Sequence, residues 1–174
     1  MSQYRSNARI QRVDQHYQAT DAVICGAVTI GQDTSFWFQT VARGDVAPIR
    51  IGQRVNIQEH CVLHCDTDEP LEIEDDVTLG HGAIVHCSKV GAGSLIGMNA
   101  ILLGRCVIGR NCMVAAGAVL SPGTIVPDGQ VVMGIPGKVV RPIRPAELEW
   151  IRANCAHYIE LARQHATEPD KFYR

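Results

Sequence analysis

Three histidines in the middle of the chain, His64, His81 and His86, have the residue type and spacing that a metal site requires. Neutral imidazole nitrogens bind zinc at about 2.0 to 2.1 Å, and they also suit iron, cobalt and nickel. Three such ligands leave one coordination position open for water or substrate. No such grouping surrounds the other four histidines, which we interpret as surface or packed residues: His16, His60, His157 and His165.

A six-residue repeat positions these histidines. Aliphatic residues recur every sixth place from Ile24 to Val126, and a small or β-branched residue follows four places later in most repeats. Neither a helix of period 3.6 nor a strand of period 2 keeps such a register. A coil of three short flat faces does, with residues 18 apart stacked at the strand spacing of about 4.8 Å. The repeat therefore predicts an all-β fold, a parallel β-helix of hexapeptide repeats.

The repeat predicts where the histidines lie. His64 follows Leu63 and His86 follows Val85, so both take the same outward place in their hexads. Their separation of 22 residues equals one 18-residue coil plus four extra residues between them, so the two should stack one coil apart. His81 lies too far along its strand to share their ion. We expect it to come from an adjacent subunit, as in a threefold ring with three equivalent sites.

The repeat is interrupted in three places: between Ala42 and Ile51, between Leu63 and Ile73, and between Val85 and Val90. Interruptions of a solenoid usually form surface loops on one face, which is often the functional face. The first contains Arg-Gly-Asp at 43–45, the second contains a loop at 65–70, and the third puts Lys89 where a small residue belongs. All three flank the histidines or the Arg-Gly-Asp segment.

The end of the chain has a different pattern. The repeat stops after three prolines, at 136, 142 and 145, and residues 146–165 carry apolar side chains at helical spacing: Leu148, Ile151, Cys155, Tyr158, Ile159 and Ala162. We predict a β-helix domain at 1–140, with a short lead-in at 1–20, and a helix and tail at 141–174. The helix is expected to pack on the β-helix of its own or a neighbouring subunit.

Composition excludes several classes of function. The 16 basic and 18 acidic residues form no long run of one sign, which argues against a nucleic-acid partner. No segment reads as a signal peptide or a membrane span, so we expect a cytoplasmic protein without a membrane partner. Seven cysteines, an odd number, fit reduced thiols that act as small buried residues.

Four segments and one histidine carry a resemblance to a known family: Ala-Arg-Gly-Asp (42–45), Ile-Gly-Gln-Arg-Val-Asn-Ile-Gln-Glu (51–59), Gly-His-Gly-Ala-Ile-Val-His (80–86), Gly-Ile-Pro-Gly-Lys (134–138) and His64. Over most of its length the chain resembles the γ-class carbonic anhydrases, which are left-handed β-helix trimers. The resemblance implies left-handed coils and a homotrimer. It also implies a Zn²⁺ ion, or Fe²⁺ or Co²⁺, held by His64, His86 and a neighbour's His81.

The resemblance assigns roles to four polar residues. Gln58 corresponds to the residue that hydrogen-bonds metal-bound solvent, and Asn56 to its neighbour in the pocket. Arg43 and Asp45 correspond to an ion pair between subunits beside the site. The implied reaction is attack of a metal-bound hydroxide on carbon dioxide, which yields bicarbonate.

The chain departs from the family at several positions. Glu59 stands where many members have Asp, and Cys87 stands where Gly is common. The founding archaeal enzymes have an acidic loop with a glutamate proton shuttle, whereas only a short acidic loop, containing Asp66, follows His64 here. In this respect the chain is similar to the short bacterial branch, whose members often have weak or no carbonic anhydrase activity.

Three other functions stay open at this point. The same metal site suits hydrolysis of an acyl-CoA thioester, as in a branch of the family that the sequence also resembles. Hexapeptide acyltransferases share the fold, and a fold does not determine a function. From a different class, the metal could serve only to join the subunits of a non-catalytic binding or scaffold protein.

Overall fold

The computed structural model describes residues 7–86 and 88–173. Part of the predicted lead-in at 1–20, the family departure at Cys87 and the last residue of the tail lie outside the described residues. Within them, most of the chain forms a left-handed parallel β-helix followed by a helix, which confirms the predicted fold class. The lead-in contributes an antiparallel hairpin of β1 (Ile10–Val13) and β2 (His16–Ala19).

Short parallel strands build the three faces of the coil. Two long strands, β3 (Val23–Ile30) and β5 (Val41–Ile51), run across faces 2 and 3. Face 1 contains β4 (Ser35–Phe36), β6 (Asn56–Ile57), β9 (Thr78–Leu79), β12 (Leu95–Ile96), β15 (Met113–Val114) and β18 (Gln130–Met133). Face 2 contains β7 (Val62–Leu63), β10 (Ile84–Val85), β13 (Ile101–Leu102) and β16 (Val119–Leu120). Face 3 contains β8 (Leu71–Ile73), β11 (Lys89–Val90), β14 (Val107–Ile108) and β17 (Ile125–Val126).

The aliphatic positions of the repeat form the core. Leu63, Leu79 and Ile96 are fully buried, and so are the small residues at the second position of the repeat, such as Cys61 and Ala83. Ile24 and Ile30, which lie on β3 in the first coil, are only partly buried. Each coil has a small interior, so burial depends on the next coil, as expected for a solenoid.

Two of the three interruptions differ from their sequence-based description. The first is not a loop, because β5 continues through residues 43–48 and bulges alongside β3, whose register shifts between Gly26 and Val28. The second is the predicted loop, between β7 and β8. The third shortens the coil at its corner, so that Lys89 lies opposite Glu72 and points outward, contrary to the expectation that it takes a small residue's place.

The C-terminal end closes the solenoid and covers one face. Strand β19 (Lys138–Pro142) forms a hairpin with β18, and the predicted helix follows as α1 (Pro145–Thr167), with a short α2 (Pro169–Phe172). Helix α1 buries Ile151, Cys155 and Ala162 and packs on the outer side of face 1 in its own chain. None of the described helices is long and apolar enough to cross a membrane.

Candidate functional site

Two neighbouring strands of face 2 bring His64 and His86 together. His64 follows β7 and His86 follows β10, which pair in parallel with Leu63 opposite Val85. The His64 backbone N–H donates to the Val85 carbonyl at 3.1 Å. The two imidazole rings have centroids 5.2 Å apart and planes inclined by 53°. The rings therefore lie one coil apart, as the repeat predicts.

This spacing fits a shared metal ion. Two imidazoles bound to one tetrahedral zinc ion have ring centroids about 5 Å apart, given zinc–nitrogen bonds of about 2.0 to 2.1 Å. Carboxylates flank both rings: Asp45 Oδ1 lies 3.1 Å from His64 Nε2, and Asp66 Oδ1 lies 3.9 Å from His86 Nε2. Across the described part of the chain, no group of three or more His, Cys, Asp or Glu side chains forms a complete metal cage.

His81 lies at the opposite edge of face 2, in the turn that joins β9 to β10. Its Nδ1 lies 2.6 Å from Glu59 Oε2, and its backbone N–H donates to Gln58 Oε1 at 3.1 Å. A carboxylate beside one ring nitrogen of a histidine favours a proton there, so Glu59 leaves Nε2 of His81 as the ring nitrogen with a free lone pair. The His81 side chain is 42% exposed, whereas that of His64 is 17% exposed.

Arg43 and Asp45 form an ion pair within one chain, on the bulged part of β5. A single guanidinium nitrogen, Nη1, contacts both carboxylate oxygens of Asp45, at 2.7 and 2.6 Å. This contact lowers the pKa of Asp45 below its ordinary value, and the His64 ring lowers it further. The contact between subunits that the resemblance implies for this pair stays a prediction.

Gln58 and Asn56 occupy different surroundings, although both come from β6. Gln58 is 5% exposed and lies beside His81. Asn56 is buried on the outer side of face 1, where its Oδ1 accepts a long hydrogen bond from Ser35 Oγ at 3.4 Å. Its Nδ2 has no hydrogen-bond partner among the described residues. The structure therefore separates two groups, one with His64 and His86 and one with His81 and Gln58, and places Asn56 in neither.

Sequence reasoning missed two contacts in these groups. Glu59 and His81 are 22 residues apart, the same separation as His64 and His86, so the repeat already places them on adjacent coils, but their pairing was not predicted. Asp66 was recognised only as part of a short acidic loop, and its position beside His86 follows from how the loop folds back.

The six cysteines that the structure describes are free thiols. Five of them are buried, as expected of small packed residues: Cys61, Cys65, Cys106, Cys112 and Cys155. Cys25 is exposed, contrary to that expectation, because it lies on the outer part of β3 in the first coil. Burial raises the pKa of Cys61 to about 12 and that of Cys155 to about 11. Since the thiolate is the form that binds metals, these two thiols behave as small core residues.

Comparisons with known proteins agree with this architecture. Residues 87–122 match the family model described as bacterial transferase hexapeptide (six repeats). A solved structure of a hexapeptide transferase family protein from Anaplasma phagocytophilum superposes with a TM-score of 0.76 at 34% identity, covering 85% of this chain and 91% of that one.

Several curated relatives are named as carbonic anhydrases. The chain is 49% identical over 142 residues to the carbonic anhydrase of Geobacillus kaustophilus. The aligned region covers 82% of this chain and 78% of the relative. It is 36% identical to mitochondrial gamma carbonic anhydrase 2 of Arabidopsis thaliana, over 90% of this chain and 59% of the relative. The chain therefore belongs to the γ-class carbonic anhydrase family of hexapeptide-repeat proteins and is a γ-carbonic anhydrase-like enzyme, a lyase.

Proposed function

We propose that this protein is a trimeric, metal-dependent enzyme that hydrates carbon dioxide to bicarbonate. Each site takes His64 and His86 from one protomer and His81 from the next. The observation that carries the proposal is the placement of these ligands on opposite edges of face 2. The sequence relatives named as carbonic anhydrases support the reaction.

The surface between the two edges supports a ring of subunits. An outward column of aliphatic side chains crosses face 2, from one coil to the next: Val41, Val62, Ile84, Ile101 and Val119. Val62 and Ile84 are among the exposed large apolar residues. A continuous apolar column on one face is typical of a contact surface. A head-to-tail contact across this column joins unlike edges, and such a contact generates a closed ring when its rotation is a whole fraction of a turn, one third for a trimer.

The ligand set suits zinc, and it also suits iron or cobalt. A bound ion of this kind supplies Lewis acidity, which lets water lose its proton near neutral pH. The protein itself orients the ligands: Glu59 holds Nδ1 of His81, and Arg43 holds the Asp45 carboxylate beside His64. The side-chain oxygen of Gln58 accepts a hydrogen bond from the His81 backbone N–H, so the side-chain NH2 group of Gln58 can donate to a substrate oxygen.

A subunit-mixing experiment tests this assignment. One variant, His81→Ala, retains the pair on the first edge, and a second, His64→Ala/His86→Ala, retains only the opposite edge. Each variant alone should bind no metal and hydrate no carbon dioxide. Trimers that contain both chains should regain one complete site of three, because one junction in each mixed ring joins two intact edges.

Metal content of isolated mixed trimers and stopped-flow hydration of carbon dioxide measure the outcome. Two differently tagged chains allow the mixed species to be purified. Mixed trimers without metal would contradict a shared site. Mixed trimers could instead bind metal at one site yet hydrate carbon dioxide no faster than either variant alone. That result would support the shared site and contradict the proposed reaction.

A further inference from the structure

A cavity beside His81 has no role in the site described so far. It has a volume of about 320 Å³ and lies between helix α1 and the outer side of face 1. Trp150, Asn154 and Tyr158, which share one side of the helix at intervals of four residues, form its roof. Leu95 and Met113, which are paired neighbours on β12 and β15, form its floor.

The lining of this cavity favours an uncharged ligand. None of the described residues that line it is Asp, Glu, Lys or Arg. A charged body would lose its hydration there without gaining an ionic partner. Trp150 is 56% exposed and Met98 is 54% exposed, although both are large and apolar. An aromatic side chain and a methionine left half exposed around a concave surface are typical of a ligand-binding site.

The size of the cavity exceeds what carbon dioxide needs. An apolar cavity of about 150 Å³ is enough to bind benzene. The volume of about 320 Å³ therefore accommodates a ring with a short side chain. Polar groups are spread over the lining, which includes Gln58, Thr78, His81, Asn154 and Tyr158. The ring nitrogens of His81 are committed to Glu59 and to the proposed ion. Gln58, whose amide oxygen accepts from the His81 backbone N–H, still has an NH2 group that can donate to a ligand carbonyl.

We propose that this cavity binds an uncharged carbonyl compound with an aryl or branched aliphatic body, its carbonyl group directed toward the side-chain amide of Gln58. The protein thus has a subsite for a second class of ligand, larger than carbon dioxide. The inference deepens the proposed function, since it places this ligand beside a residue of the proposed metal site. Binding itself requires only the pocket.

Isothermal titration of the purified full-length protein with 3-phenylpropionamide tests the subsite. At the ligand efficiency typical of such compounds, this amide should bind with a dissociation constant of about 4 mM or tighter. Propionamide, which lacks the ring, should show no measurable binding, and 3-phenylpropionate should bind at least tenfold more weakly because it carries a charge.

Two substitutions locate the binding. Ala116→Leu fills the cavity and should weaken binding at least tenfold, whereas Ala153→Leu, on the exposed side of helix α1, should leave it unchanged. Trp150→Ala removes part of the roof from an exposed position and provides a second test if Ala116→Leu does not fold. Equal binding by the parent protein and both pocket variants, or no binding by the parent protein, would overturn the subsite.

The His64→Ala variant separates this inference from the proposed reaction. It should lose carbon dioxide hydration and bind 3-phenylpropionamide as the parent protein does. If the parent protein hydrates carbon dioxide but does not bind the amide, only the proposed subsite is contradicted. If the parent protein binds the amide but does not hydrate carbon dioxide, only the proposed reaction is contradicted.

Discussion

His64 and His86 are 22 residues apart in the chain, yet their rings stand one coil apart with centroids separated by 5.2 Å. The spacing results from a loop that lengthens the intervening coil without disturbing the pairing of Leu63 with Val85. The parallel ladder on both sides holds the two rings, because each histidine directly follows a strand residue with a buried side chain. The site is therefore supported by the core of the solenoid.

The first prediction concerns this pair. His64→Ala or His86→Ala should each reduce metal retained after dialysis at least tenfold, because one chain then offers a single imidazole. Elemental analysis per protomer measures the loss. His157→Ala, on the exposed side of helix α1, should retain the metal of the parent protein. Equal metal in all three variants would contradict the pair as ligands.

The second prediction concerns Glu59, whose Oε2 lies 2.6 Å from Nδ1 of His81. Glu59→Gln removes the charge that orients the ring, and we expect metal affinity to fall about 10- to 100-fold. Competition with a chelator of known affinity measures the change. Glu59→Asp retains the charge and should recover part of the affinity, whereas a purely structural role would give both variants the same affinity and different thermal stabilities.

The third prediction tests the close stacking of coils. A Cβ at Gly97 would lie 2.5 Å from the backbone nitrogen of Ala116, so Gly97→Ala should lower the free energy of unfolding by about 1–3 kcal/mol. At Gly104 the added Cβ meets only the tip of the Asp66 side chain, which can turn away. Gly104→Ala should therefore cost much less in a urea unfolding series. The opposite order would contradict the observed stacking.

The fourth prediction is a pH dependence of stability. Glu74 is 14% exposed and lies 2.6 Å from Lys89 Nζ and 3.0 Å from Arg110 Nε. The contact with Arg110, followed by that with Lys89, lowers its pKa from 4.5 to about 2. The folded state therefore gains stability from ionised Glu74 above about pH 4.5, and this gain fades as the pH falls toward 2.

Glu74→Gln measures this contribution. The substitution should reduce the free energy of unfolding at pH 7 by on the order of 1–3 kcal/mol. The difference from the parent protein should be smaller at pH 3.5, because the carboxylate in the unfolded chain is then largely protonated. Glu160→Gln, in an exposed pair on helix α1, provides the control and should change little at either pH. A difference that grows toward pH 3.5 would contradict the assignment.

The repeat predicted the solenoid core because burial in a β-helix is local in sequence. Leu79 and Leu102 are buried for the same reason, a fixed step of six residues around a small interior. The repeat failed where the coil changes length. Lys89 points outward because the coil is shortened at its corner, and residues 43–48 remain in a strand because β5 takes up its extra residues as a bulge alongside β3.

The sequence by itself determined the face and coil on which each histidine lies, because a regular repeat converts residue number directly into position. Only the tertiary structure decided which contacts the loop and the helix make: Asp66 with His86, and helix α1 over the cavity near Gln58. Those contacts depend on loop conformation and on the docking of a distant helix. Loop conformation and helix docking both result from packing in three dimensions, and a six-residue period carries no information about either.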